Sequence, residues 1–185
     1  MNEDHKLSSA GANLVKHFEG CLKPHGDKYK AYQCPANVWT IGWGTTSEHG
    51  HPVKPDMVWT EEQCDAAFLR DMEAFEKDVR RLVKVPLTGF QYDALVSFTY
   101  NVGAGNLAKS TLLKKVNAKD FAGAAKEFVK WNKANGKVLN GLTRRRKSES
   151  LLFQGITDEN YDGDPDMPVT YLSDPMPQAV DHPED

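Results

Sequence analysis

Leu7, Leu14, Val15 and Phe18 fall at helical spacing, with Ser8 or Ser9 available as a cap, which predicts a first helix that stops at Gly20 and carries Glu19 in its last turn. Residues 23–28, KPHGDK, are turn-forming. The pattern then changes to a period of two. Tyr29, Ala31 and Gln33 alternate with Lys30, Tyr32 and Cys34, Pro35-Ala36-Asn37 reads as a turn, and residues 38–44, VWTIGWG, read as the returning strand of a hairpin. Residues 45–59 read as loop. Thr60 and Gln63 form a capping box that opens a long helix to about Val83, with Cys64, Phe68, Met72, Phe75, Val79 and Leu82 on one stripe.

Downstream the period stays helical. Thr88 and Gln91 repeat the capping box ahead of Phe90, Ala94, Leu95, Phe98 and Val102, and Gly103-Ala104-Gly105 breaks that helix. Ser110 caps a short helix to Val116. Phe121 to Trp131 predicts one more, with Phe121, Ala125, Phe128 and Val129 inward. Asn135-Gly136 and Asn140-Gly141 are turn signals, and a last helix runs from Leu142 to Phe153.

These elements predict an α+β, mainly helical fold. A small N-terminal lobe with a β-hairpin (about 20–59) is joined by one long helix (about 60–83) to a larger helical lobe (about 84–155), and residues 157–185 form an acidic tail expected to be disordered. A chain of 185 residues is long enough for a sizeable core. No window has the roughly 18 apolar residues of a membrane span, and the polar N-terminus reads as no secretory signal. Three cysteines, Cys21, Cys34 and Cys64, at spacings of neither a zinc motif nor a disulfide framework suggest reduced thiols, with a Cys21–Cys34 bridge as the alternative. The six histidines show no metal-ligand spacing beyond His49-Gly50-His51, which reads as loop.

The net charge of −3 hides an asymmetry. Residues 157–185 hold nine acidic side chains and no Lys or Arg, so residues 1–156 carry a net charge of +6. A basic body favours an anionic partner, which on charge alone is nucleic acid, acidic glycan or lipid surface. The run Arg144-Arg145-Arg146-Lys147 can face such a partner or pair internally with Glu149. Without a basic-aromatic recognition motif, the nucleic-acid reading is set aside.

Glu19 is the candidate acid. A carboxylate at a helix C-terminus faces the negative end of the helix dipole, which favours its protonated form. Cleaving a glycosidic bond needs such an acid for the leaving oxygen, and a second group to hold or deprotonate water. Cys34 and Thr40, in or beside the hairpin, are candidates for that second role. Trp39, Trp43, Tyr29 and Tyr32 can form a sugar-stacking platform or fill the hairpin core.

Several blocks together carry a resemblance. Glu19-Gly20, Lys30-Ala31-Tyr32, residues 39–46 (WTIGWGTT), residues 94–103 (ALVSFTYNVG), Ser110-Thr111-Leu112-Leu113 and residues 141–146 (GLTRRR) leading to Glu149 resemble the phage lysozymes of glycoside hydrolase family 24 over roughly residues 7–155. The resemblance implies a muramidase. It would cut the β-1,4 bond between N-acetylmuramic acid and N-acetylglucosamine in peptidoglycan as a phage endolysin, with no cofactor and no metal. It puts the catalytic Glu on Glu19 and the Thr on Thr40. The third member, usually Asp, falls on Cys34, and the loop before it is lengthened around Pro24–Lys30. Asp27, inside that loop, is an alternative source of the carboxylate, although His25-Gly26-Asp27 also reads as a plain turn. Tyr32, Trp39, Trp43 and Asn101 are the expected substrate contacts. A monomer accumulating in the host cytoplasm, reaching the wall through a membrane lesion and aided by an anionic envelope surface, completes the expectation. A catalytically weak peptidoglycan-binding module is the alternative.

Overall fold

The computed structural model describes residues 2–19, 22–34, 37–47 and 52–156. Cys21, the His49–His51 pair and the acidic stretch 157–185 therefore lie outside the described residues. The fold is α+β and mainly helical. Its described residues separate into two compact units, one made of residues 2–18 and 74–156, the other of residues 19–73.

The smaller unit is built from short antiparallel strands. β1 (Pro24–His25), β2 (Lys28–Lys30) and β6 (Val58–Trp59) form one sheet in the order β1-β2-β6, and β3 (Tyr32–Gln33), β4 (Trp39–Ile41) and β5 (Thr45–Thr46) form a second in the order β3-β4-β5. Two corrections to the sequence reading follow. Residues 23–28 contain a strand, and the segment 45–59 contributes two. All three are two-residue strands, too short for alternation to register. Ala31, Ile41 and Val53 form the buried cluster beneath the strands, with Trp39, Met57 and Trp59 packed against it.

α1 (Ser9–Glu19) ends where the sequence predicts, and its cap is Ser8, whose hydroxyl accepts the Gly11 N–H at 3.3 Å. α2 (Glu61–Leu82) begins with the expected box: the Thr60 N–H donates to Gln63 Oε1 at 2.9 Å and the Gln63 N–H to Thr60 Oγ1 at 3.3 Å. The boundary between the two units falls within this helix.

In the larger unit, α3 (Gly89–Val102) is buried without a break from Tyr92 to Thr99, and the polar residues in that run, Asp93, Ser97 and Thr99, are each hydrogen-bonded. Around it lie α4 (Ala104–Lys109), α5 (Thr111–Asn117), α6 (Phe121–Ala125), a 3-10 turn at Phe128–Lys130, and α7 (Asn140–Phe153). Here the sequence reading needs three changes. Gly103, at φ +87°, ends α3 but begins α4 at once. The helix expected over 121–131 breaks into α6 and the 3-10 turn, leaving Val129 41% exposed. Asn140 and Gly141 belong to α7. A hairpin, β7 (Lys133–Ala134) with β8 (Lys137–Val138), turns on Asn135-Gly136.

The first residues are tied to this unit by polar contacts. Glu76, 3% exposed, accepts the Leu7 N–H at 2.8 Å, and Asp93, 1% exposed, accepts both the N–H and the hydroxyl of Ser8. Arg80 donates to the His5 carbonyl at 2.9 Å and to the Tyr92 hydroxyl at 2.6 Å.

Candidate active site

The β3–β4 connection places two of the three candidate catalytic residues on one atom. The Cys34 N–H donates to the Val38 carbonyl at 3.0 Å, and the Thr40 hydroxyl donates to the same carbonyl at 3.1 Å. The turn between them is closed by the Asn37 N–H on the Cys34 carbonyl at 2.8 Å, with Asn37 in the left-handed region at φ +60°. Asn tolerates that conformation better than other residues with a Cβ.

Thr40 is the central residue of its sheet, paired with Tyr32 on one side and Thr46 on the other, and is 4% exposed. Its proton is committed to Val38, so its remaining lone pairs can only accept. A water molecule donating to Thr40 would therefore turn its own lone pair outward. Cys34 is a half-buried thiol at the mouth of the same turn. Glu19 ends α1, is partly exposed, and belongs to the same compact unit as Cys34 and Thr40. Beside it in the last turn of α1, His17 is held below its usual pKa, first by burial and then by the Arg144 guanidinium, so its ring is neutral at neutral pH.

Asp27 belongs to the β1-β2-β6 sheet, whereas Thr40 lies in β3-β4-β5. It is exposed in the two-residue turn of the β1–β2 hairpin, where His25 pairs with Lys28 and Gly26 takes φ +66°.

The expected platform divides by exposure. Trp43 is 4% exposed and its indole N–H is committed to Asp65 Oδ1 at 2.7 Å, so this ring fills the interior. Trp39 is partly buried against the Ala31–Ile41–Val53 cluster and Tyr32 is also half-buried, with the Lys23 ammonium 5.6 Å above its ring. Tyr29, paired with Trp59, has its phenol pKa raised by burial and then by Glu61 of α2. Asn101, in the larger unit, is exposed and accepts Arg146 Nη2 at 2.6 Å.

Two residues that the sequence reading missed fix the strand turn. Besides Asp65, Asp71 in α2 accepts the buried Thr45 hydroxyl at 2.7 Å while itself only 8% exposed. The clue lay in the α2 pattern, where Asp71 follows Phe68 by three and shares its apolar stripe. A Cβ on Gly42, at φ +60°, would stand 3.0 Å from the Cys64 Cβ, so only glycine lets the β4–β5 turn lie this close to α2.

The arginines of α7 also resolve. Arg145 and Arg146 are 3% and 0% exposed. Glu149, itself 0% exposed, stands 3.1 Å from Arg145 Nε and 3.2 Å from Arg146 Nη1. The Ser97 hydroxyl completes the group at 2.8 Å. Two of the four basic side chains read as a possible envelope-facing run are thus internal.

Residues 16–149 match the family model described as phage lysozyme. The chain is 43% identical over 166 residues to an endolysin of Bacillus phage B103, covering 89% of this chain and 60% of that relative. It is 41% identical over 152 residues to an endolysin of Acyrthosiphon pisum secondary endosymbiont phage 1, covering 80% of this chain and 97% of that relative. Among solved structures, the muramidase domain of SpmX from Asticaccaulis excentricus superposes with a TM-score of 0.69 at 37% identity, over 80% of this chain and 97% of that one. The chain therefore spans 60% of the length of one relative and nearly the whole of another. The match from α1 through Glu149, the residue that holds the two buried arginines, places this chain in the phage lysozyme family.

Proposed function

We propose that this protein is a peptidoglycan muramidase of endolysin type, with Glu19 as the acid and Thr40 and Cys34 as the holders of the attacking water. The observation that carries this reading is the shared Val38 carbonyl. It takes the Thr40 proton in a hydrogen bond, leaving that hydroxyl as an acceptor, and it also holds the Cys34 main chain, in the unit that contains Glu19. In the reaction Glu19 gives its proton to the glycosidic oxygen as the C1–O bond breaks, and charge builds on the sugar ring. The water accepted by Thr40 attacks C1, and its proton passes to solvent, or to Cys34 when that residue is a thiolate. A thiol with the ordinary pKa of about 8.5 is mostly neutral at pH 7, so Cys34 serves first as a positioning group. Direct attack by water is a single displacement and inverts the anomeric configuration.

Trp39 and Tyr32 are the rings we assign to sugar contact. Trp43, whose ring is buried, is assigned to holding the turn, and Asn101 to orienting Arg146. A peptidoglycan substrate agrees with the net +6 of residues 1–156, since bacterial envelopes are anionic. Among the described residues no helix is long and apolar enough to cross a membrane, and we propose release to the wall through a separate membrane lesion.

The test is clearing of a peptidoglycan gel by the wild type and by Glu19→Gln, with mass spectrometry of the released muropeptides and anomer analysis of fresh product. Glu19→Gln should lose clearing while melting within a few degrees of wild type. Clearing retained by that variant refutes the assignment of the acid. Binding to peptidoglycan without any clearing by the wild type would instead support the catalytically weak module. Cys34→Ala, Cys34→Asp and Asp27→Ala then locate the water. A fully active Cys34→Ala beside an inactive Asp27→Ala would move it to Asp27.

A further inference from the structure

Residues 103–156 contain twelve Lys and Arg against three acidic residues, and all three acids are engaged internally. Asp120 caps α6 by accepting the Gly123 N–H at 2.9 Å. Glu149 is sealed among the arginines. Glu127, 4% exposed, takes the Lys115 ammonium at 2.6 Å and the Lys130 ammonium at 2.9 Å, and these hydrogen bonds hold its carboxyl below the usual range. With Arg145 and Arg146 buried, the cationic surface does not centre on α7.

It centres on the stretch from Lys126 to Leu139. Lys126, Lys130, Lys133 and Lys137 are exposed there, and the one acid, Glu127, is not. The same stretch holds three of the six exposed large hydrophobic residues among the described ones, Val129 at 41%, Val138 at 56% and Leu139 at 44%. The β7–β8 register pairs Lys133 with Val138 and Ala134 with Lys137. Residues directly opposite share a face, and Leu139 lies two beyond Lys137, so each face of the ribbon presents one lysine and one aliphatic side chain. Asn135 and Gly136, both at positive φ, lock the tip in the two-residue turn that suits such a ribbon.

We infer that the segment 126–139 is a peripheral docking surface for an anionic lipid bilayer. Clustered lysines are drawn to anionic headgroups, and exposed aliphatics beside them gain only where an apolar phase lies under the charge. A fully hydrated polyanion would satisfy the lysines and leave Val138 and Leu139 in water, so the aliphatics select the bilayer. The inference is independent of the muramidase assignment, because none of these side chains belongs to the candidate active site.

The test is co-sedimentation of the full chain with vesicles of 1:1 phosphatidylglycerol and phosphatidylcholine, against phosphatidylcholine alone and against soluble polyphosphate. Binding should require the anionic lipid and weaken with salt. At about 1 kcal/mol per lysine near an anionic surface, Lys133→Gln with Lys137→Gln should weaken vesicle binding about 30-fold. Lys28→Gln with Lys54→Gln, exposed lysines of the other unit, should change it less than about threefold. Val138→Ser with Leu139→Ser should weaken vesicle binding about tenfold and leave polyphosphate binding unchanged. Circular dichroism melts confirm folding, and Lys137→Gln alone, expected at about fivefold, replaces the pair if its melt falls. Absence of vesicle binding overturns the inference. So do equal losses from both lysine pairs, or a serine pair that binds vesicles as tightly as wild type.

Discussion

Replacing Glu149 by Gln should be among the most damaging single changes in the larger unit, and the structure sets its size. Arg146 is fully buried, and its recorded polar partners are Glu149, at 3.2 Å, and Asn101, at 2.6 Å. Among the described residues its Nε and Nη1 have no partner in hydrogen-bond geometry, so the pairing with Glu149 is mainly charge attraction. Even with that carboxylate present, burial pulls the guanidinium down to about 10. Against the ordinary 12.5, this is a net penalty on the order of 3 kcal/mol, from burial first and then from the Arg145 charge, that Glu149 does not offset. Glu149→Gln removes the carboxylate and leaves Arg146 with an amide and Asn101, a change that costs about 3–5 kcal/mol for a buried pair. For a chain of this size that is a fall in Tm of roughly 8–16 °C. Arg146→Met should cost less, about 1–2 kcal/mol, because Glu149 keeps Arg145 at 3.1 Å and Ser97 at 2.8 Å while the buried charge disappears. Urea unfolding and thermal melts at pH 7 measure both. If Arg146→Met is as harmful as Glu149→Gln, charge desolvation is not what governs this cluster.

The smaller unit and the pH response give further tests. Gly42→Ala should cost about 1–3 kcal/mol, from positive φ together with the Cys64 contact, whereas Gly26→Ala, with a similar φ and open space around it, should cost only about 1 kcal/mol in the same urea titration. Thr45→Val leaves buried Asp71 without its hydroxyl donor and should cost about 1–3 kcal/mol, read from the same transition. Glu127 has its pKa lowered in the folded state, so its contribution is present above its unfolded value of 4.5 and is lost as pH falls through the folded value; Glu127→Gln should flatten acid unfolding in that window. If residues 157–185 temper adsorption, ending the chain after Gly155 should raise lysis at low salt and leave it unchanged at high salt; equal lysis at every salt concentration removes that role.

The long elements were legible because their signals are redundant. α2 and α3 each carry a capping box and an apolar pattern, and both boxes are present in the structure. The two-residue strands were not, since alternation needs more residues than β5 or β6 supply. The break between α6 and the 3-10 turn escaped for a different reason: Phe121, Ala125 and Phe128 keep helical spacing across it while the backbone does not. At the candidate site, the resemblance named Glu19 and Thr40 as candidates, and the end of α1 at Glu19 was legible from the helical period. Which ring faces outward was not legible, because Trp43 lies inside the three-residue turn 42–44, outside the alternation that Trp39 begins. Burial of Arg145 and Arg146 was visible only as a possibility, through Glu149 at i+4 and i+3.

The main chain of Cys34 is held at both ends, its N–H donating to the Val38 carbonyl and its carbonyl accepting the Asn37 N–H. Any residue other than proline at position 34 can make these two main-chain bonds. A carboxylate in place of the thiol would keep both bonds, so under the proposed roles the chemistry next to Thr40 can change while the main chain still closes the turn.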